Sequence, residues 1–166
     1  GDLGSYGATK IKTPRIDQLA GAGVRFTDAH STAAFCRPSR YSILSGTYAQ
    51  HWKKRPPGYS LFFHEGQVTL PSLLKSAGYR SAALGKWHNG FGLGMLDWNK
   101  ELKPGPLEIG FDYFFGTPQT HNEPPLVFVE NHRVLALDPA DPILINQQGK
   151  PHGAITGGAA AQLARP

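Results

Sequence analysis

The sequence predicts an α/β fold built on a mostly parallel sheet with helices packed on both faces. Two stretches carry this expectation. Residues 69–85 run from a helix pattern straight into an apolar strand: Thr69 at the cap, Pro71 in the first turn, leucines at 70, 73 and 74, a closing Gly78, then Ala82, Ala83 and Leu84. A helix leading directly into an apolar strand is the αβ unit of a parallel sheet, whose strands need helices on either side. Residues 24–46 read as a second junction, of strand, loop and helix.

Taken in order, residues 13–20 form a first helix, with Thr13 as cap, Pro14 at its first position, Ile16, Leu19 and Ala20 on one face, and Gly21 and Gly23 as stops. Residues 24–30 alternate and hold β-branched and aromatic side chains, which predicts a strand leading towards Cys36. A helix follows, with Pro38 in its first turn, Tyr41, Ile43 and Leu44 facing inward, and Gly46 at its end. Residues 50–67, rich in Pro, Gly and basic side chains, read as a long surface loop, and residues 79–85 as a short buried strand. Residues 111–116 are a further strand, and 126–130 with 133–135 a hairpin about Asn131 and His132. From Asp138 onward Pro, Gly and Ala dominate and nothing compact is predicted; residues 137–166 are the loop-rich end of a single partial domain spanning 1–166.

With 166 residues and 40% hydrophobic side chains the chain can bury a core. No stretch approaches the roughly 20 apolar residues of a membrane span, and the first residues lack the basic and apolar regions of a signal peptide. The formal charge of +5 is spread along the chain, with Lys53, Lys54 and Arg55 its only run. Without a nucleic-acid motif beside it, that charge suits a small anionic substrate better than nucleic acid. Gly90, Gly92 and Gly94 lack the spacing of a dinucleotide fingerprint, which argues against nucleotide binding.

The chemistry centres on Cys36, the only cysteine, placed beside two arginines at a helix start where free N–H groups and the helix dipole favour an anion. Two later loops follow predicted strands, where α/β sheets bind ligands: one carries Lys86 and His88, the other His121.

These residues resemble the sulfatase family. Its signature, Cys-x-Pro-Ser-Arg with a following Leu-Thr-Gly-Arg, is met by Cys36, Pro38, Ser39, Arg40, Leu44, Ser45 and Gly46, with Thr47 in place of the closing arginine. Its Gly-Lys-Trp-His motif is met by Gly85, Lys86, Trp87 and His88, and its Gly-Phe-Asp-x-Phe-x-Gly stretch by residues 110–116. Asn89 departs from the apolar residue common after the histidine. The resemblance runs to about Val134 and extends to arylsulfatase A and N-acetylgalactosamine-6-sulfatase sequences, which fits either an aryl or a sugar sulfate.

The resemblance implies an alkaline-phosphatase-like α/β/α sandwich, incomplete in this chain, and hydrolysis of an aryl or carbohydrate sulfate. It implies that Cys36 is converted by a formylglycine-generating or sulfatase-maturing enzyme to formylglycine, whose hydrate attacks sulfur with one hydroxyl and expels sulfate through the other. Arg40 would fix and polarise that group, Lys86 and His88 would hold the sulfate and the hydrate oxygen, and His121 would bind sulfate or protonate the leaving alcohol. The matured Cys36 would also ligate a divalent metal, most commonly Ca2+, whose carboxylate ligands the resemblance places outside these residues. The 166 residues alone are therefore expected to be inactive. Relatives using the same modified cysteine cleave phosphonate monoesters and phosphodiesters, and a chain left unmodified would at most bind anionic glycans. Family members are commonly secreted, periplasmic or lysosomal.

Overall fold

The computed structural model describes residues 1–51, 58–120, 123–145 and 155–156, in two compact units, Gly1–Ser31 and Thr32–Pro166. In the first, a 3-10 turn, Gly4–Tyr6, precedes helix α1, Pro14–Ala22. Thr13 stands at the cap of α1 but its hydroxyl serves the turn, accepting the Gly4 N–H at 2.8 Å and donating to Asp17 Oδ1 at 3.0 Å. Asp17 also accepts the Ser5 N–H at 2.6 Å. Its carboxylate is thus a structural acceptor.

The strand predicted over residues 24–30 is absent, and the segment is irregular and exposed. A strand needs a neighbour for its alternating N–H and C=O groups. Here the contacts are made by side chains instead: Tyr6 Oη donates to the Phe26 carbonyl at 2.7 Å, and the Arg25 guanidinium lies 5.5 Å from the centre of the Tyr6 ring.

The second unit contains helices α2, Cys36–Ser45, and α3, Leu70–Ser76, and a sheet of β1, Ala82–Leu84, β2, Tyr113–Gly116, β3, Val129–Glu130, and β4, Arg133–Val134, in that order. β1 and β2 are parallel, with Ala82 opposite Tyr113, which is the product of the predicted αβ unit. β2–β3 and β3–β4 are antiparallel, so the described sheet is mixed. The hairpin forms as expected, and Asn131, a residue type that tolerates the left-handed region, takes φ 53° in its turn. β1 is shorter than the predicted strand and lies at the sheet edge, which leaves Leu84 71% exposed rather than buried.

Thr69 and Ser72 form a reciprocal capping box on α3. Lys75 on that helix pairs with Asp112 at 2.9 Å, and Asp112 accepts the Ser81 N–H at 2.9 Å, so α3, β1 and the start of β2 are tied at one corner. Past Asp138 the chain has more order than predicted. A short antiparallel pair, β5, Leu144–Ile145, and β6, Ile155–Thr156, follows Ile143, whose N–H and C=O both bond to the Asn99 side chain.

The core is aromatic: Trp87, Phe91, Phe114 and Phe63 are buried, and Trp87 lies 6.1–6.4 Å from the other three ring centres. Each such ring contributes on the order of 1.5–3 kcal/mol by burial. Phe63 corrects the reading of residues 50–67 as surface: residues 60–63 are buried, while residues 52–57 lie outside the described part. Leu61 N–H bonds to Gly92 O at 2.9 Å, Phe62 N–H to Asn89 O at 3.0 Å, and Phe91 N–H to Tyr59 O at 2.7 Å. Gly90 makes this approach possible, because at φ +80° a Cβ would lie 2.0 Å from the Ser60 carbonyl oxygen.

Among the described residues no helix is long and apolar enough to cross a membrane.

Candidate active site

The parallel pairing of β1 and β2 continues beyond both strands. Gly85 N–H bonds to Phe115 O at 2.9 Å, Thr117 N–H to Gly85 O at 3.2 Å, Trp87 N–H to Thr117 O at 2.8 Å and His88 N–H to Pro118 O at 2.8 Å. The loops leaving the two strands thus run side by side from the carboxyl edge of the sheet, where α/β folds place their ligands. Gly116 admits the neighbouring chain: a Cβ there would stand 1.7 Å from the Gly85 carbonyl oxygen.

Helix α2 brings the cysteine to these loops. Cys36 is its first residue and is exposed, and Phe35 at the cap position offers the first turn no side-chain acceptor. Gly46 closes the helix in the left-handed conformation, with φ 65° and its N–H on Ser42 O. Of the predicted inward residues, Tyr41 is buried and Leu44 half-buried, while Ile43 is exposed.

Cys36 Sγ lies 3.2 Å from Nδ1 of His88. Arg40, one helical turn on, directs its guanidinium at the loop beneath that histidine: Nε donates to the Trp87 carbonyl at 3.0 Å and Nη2 to the Lys86 carbonyl. Burial lowers its pKa, opposed by the negative charge Cys36 can carry, but a guanidinium stays charged. Arg40 therefore acts here as a strut fixing Lys86 and His88 relative to α2. The structure brings Cys36, Arg40, Lys86 and His88 into one place; His121 lies outside the described residues.

Two groups to which the sequence assigned no role, Arg37 and Glu123, adjoin these four. Arg37 packs over the Phe62 ring, 5.0 Å from its centre, and Nη2 donates to Gln119 Oε1 at 3.0 Å, which ties α2 to the loop after β2. Its place inside the cysteine signature was the one available signal. Glu123 brings Oε2 within 3.6 Å of His88 Nε2. The His88 ring is buried, and its pKa falls to about 4, first through burial and then through the charges of Arg37, Lys86 and Arg40. At neutral pH the His88–Glu123 contact is therefore one between a neutral ring and the carboxyl group.

The Sulfatase family profile matches residues 1–155. The chain belongs to the sulfatase family. Over 90% of its length this sulfatase-family chain is 47% identical to an N-acetylgalactosamine-6-O-sulfatase of Bacteroides thetaiotaomicron, of which it spans 30%. It is 36% identical to arylsulfatase A of Bos taurus, over 75% of this chain and 24% of that protein. Among solved structures, a chain described under the metabolism of multiple glycosaminoglycans by Bacteroides thetaiotaomicron superposes with a TM-score of 0.79 at 40% identity, covering 97% of this chain and 41% of that one. A second, solved in complex with its substrate D-glucosamine-2-N,6-O-disulfate, has a TM-score of 0.50 at 30% identity, over 80% of this chain and 24% of that one. The fold is accordingly that of the family, an alkaline-phosphatase-like α/β domain of which these residues form an incomplete part.

The family generally works with formylglycine and Ca2+. Position 36 fits the first: it is exposed, next to an exposed Phe35, and faces a histidine nitrogen. The metal is another matter. A hard cation takes six to eight oxygens, and among the described residues no three His, Cys, Asp or Glu side chains converge.

Proposed function

We propose that this sulfatase-family protein hydrolyses sulfate esters of small molecules or carbohydrates, with position 36 matured by a formylglycine-generating enzyme. The observation that carries the reading is the convergence of an exposed Cys36, at the uncapped start of α2, with His88 Nδ1 at 3.2 Å and with Arg40 and Lys86. Formylglycine, once hydrated by water, would supply one hydroxyl as nucleophile and a second beside it through which sulfate could be released as the aldehyde re-forms.

The chain's own residues do the rest. His88 Nδ1 faces the nucleophilic atom and is placed to take or return its proton. Lys86 and Arg37 add positive charge to the positive end of α2, where a sulfuryl group building charge on its oxygens is stabilised. Arg40 keeps the Lys86–His88 loop in register with the nucleophile. His121 is assigned to the leaving alcohol or the sulfate. The relatives' names favour a 6-O-sulfated amino sugar.

The test is turnover by the full-length, matured protein on matched substrates: 4-nitrophenyl sulfate against bis(4-nitrophenyl) phosphate, then N-acetylgalactosamine-6-sulfate. Faster sulfate turnover is expected. Faster phosphodiester turnover, or anionic-glycan binding with no turnover, overturns the proposal.

A further inference from the structure

We infer that Glu123 is a positioning residue, whose carboxylate holds the proton of His88 on Nε2 and so turns the Nδ1 lone pair towards the nucleophile at position 36. This rests on the sulfate-ester reading of the site and extends it to a residue outside every motif of the sequence.

The geometry is a line of three groups. His88 Nδ1 is 3.2 Å from Cys36 Sγ, and on the opposite side of the ring Nε2 is 3.6 Å from Glu123 Oε2. Which nitrogen of an imidazole bears the proton is set by the partner of the other. A carboxylate oxygen only accepts. Facing Nε2 it favours N–H at that position in the neutral ring and in the charged one alike, since a lone pair there would oppose its own. The nitrogen left to accept a proton is Nδ1, the one at the nucleophile.

Two further facts mark Glu123 as placed. Its Oε2 is buried with no hydrogen-bond partner among the described residues, a costly state for a carboxylate oxygen. Closing the 3.6 Å gap by about half an ångström makes the missing bond. The backbone holding Glu123 is also pinned: its N–H bonds to Thr120 O at 3.1 Å, and Tyr59 Oη donates to the carbonyl of Pro124 at 2.7 Å. The same loop is joined to the His88 loop through Pro118 O and to α2 through Arg37 and Gln119. Nucleophile, histidine and carboxylate thus come from three segments tied directly to one another.

The experiment uses the full-length, matured enzyme with 4-nitrophenyl sulfate. E123A is expected to lower kcat by roughly 10- to 100-fold with KM within about twofold, part of the 10²–10⁴ that a positioned acid-base group contributes. E123Q, whose amide oxygen can still accept from Nε2, should recover most of the loss. Independently of activity and of any variant, the 15N spectrum of the His88 ring in the wild-type protein should show Nε2 as the protonated nitrogen. A ring protonated on Nδ1, or E123A with unchanged kcat, overturns the inference. Wild-type protein inert to sulfate esters would instead refute the sulfate reading, leaving the tautomer to be decided by the spectrum.

Discussion

His88 and Arg40 show most plainly what single side chains do here. The buried His88 ring, surrounded by Arg37, Lys86 and Arg40, resists a proton, and NMR titration of the metal-free protein should give a midpoint near 4. Because an unfolded histidine titrates near 6.5, the unfolded chain binds the extra proton first between those values. Stability from this group is therefore present above about pH 6.5 and lost as pH falls towards 4, which denaturant midpoints across that range would register. Arg40 makes charged hydrogen bonds to two main-chain carbonyls. R40A should cost about 2 kcal/mol or more in denaturant unfolding, and R40K should recover little, since an ammonium cannot reproduce the fork. Cys36, Arg40, Lys86 and His88 were legible in the sequence because each stands in a contiguous motif. Glu123 was not: it meets His88 across a long sequence separation, and no local pattern encodes that meeting.

At the level of elements, legibility followed local signals. An early proline and a closing glycine marked all three helices, with a threonine at the cap position of α1 and α3, and T69A should destabilise α3 by about 1–2 kcal/mol, since the hydroxyl serves both the capping box and the buried Ile109 carbonyl. Residues 24–30 had the alternation of a strand but no neighbouring strand to pair with among the described residues, and pairing partners are not written locally. Residues 60–63 failed in the other direction. Their Leu61-Phe62-Phe63 run belongs to the core, yet its Pro- and Gly-rich surroundings read as surface. The β1–β2 edge rests on one glycine that no periodicity reveals. G116A would drive a methyl into the Gly85 carbonyl, and we expect a loss above about 3 kcal/mol in thermal or denaturant unfolding, with activity falling as the Lys86–His88 loop shifts.

For the molecule as a whole, the α/β class and the carboxyl-edge position of the site were both readable from the order of helix and strand. The mixed character of the sheet came from the hairpin, whose strands return antiparallel. The chain spans 30% of the N-acetylgalactosamine-6-O-sulfatase and 24% of the arylsulfatase A to which it is similar, so the activity is proposed for the full-length protein. The formal charge of +5 has a local focus in Arg37, Arg40 and Lys86 around the uncapped start of α2. Raising ionic strength from about 0.01 to 0.15 M shortens the screening length from roughly 30 to 8 Å. KM for a sulfated sugar should therefore rise several-fold while kcat changes little, as steady-state kinetics in a salt series would show. Everything in this account depends on the fate of one side chain. The deciding measurement is a peptide mass spectrum across residues 35–40 of full-length protein made in a host with the maturing enzyme, taken alongside its turnover of 4-nitrophenyl sulfate. An aldehyde at position 36 is expected in the active preparation; sulfate hydrolysis by protein whose Cys36 is wholly unmodified thiol would contradict formylglycine chemistry at this site.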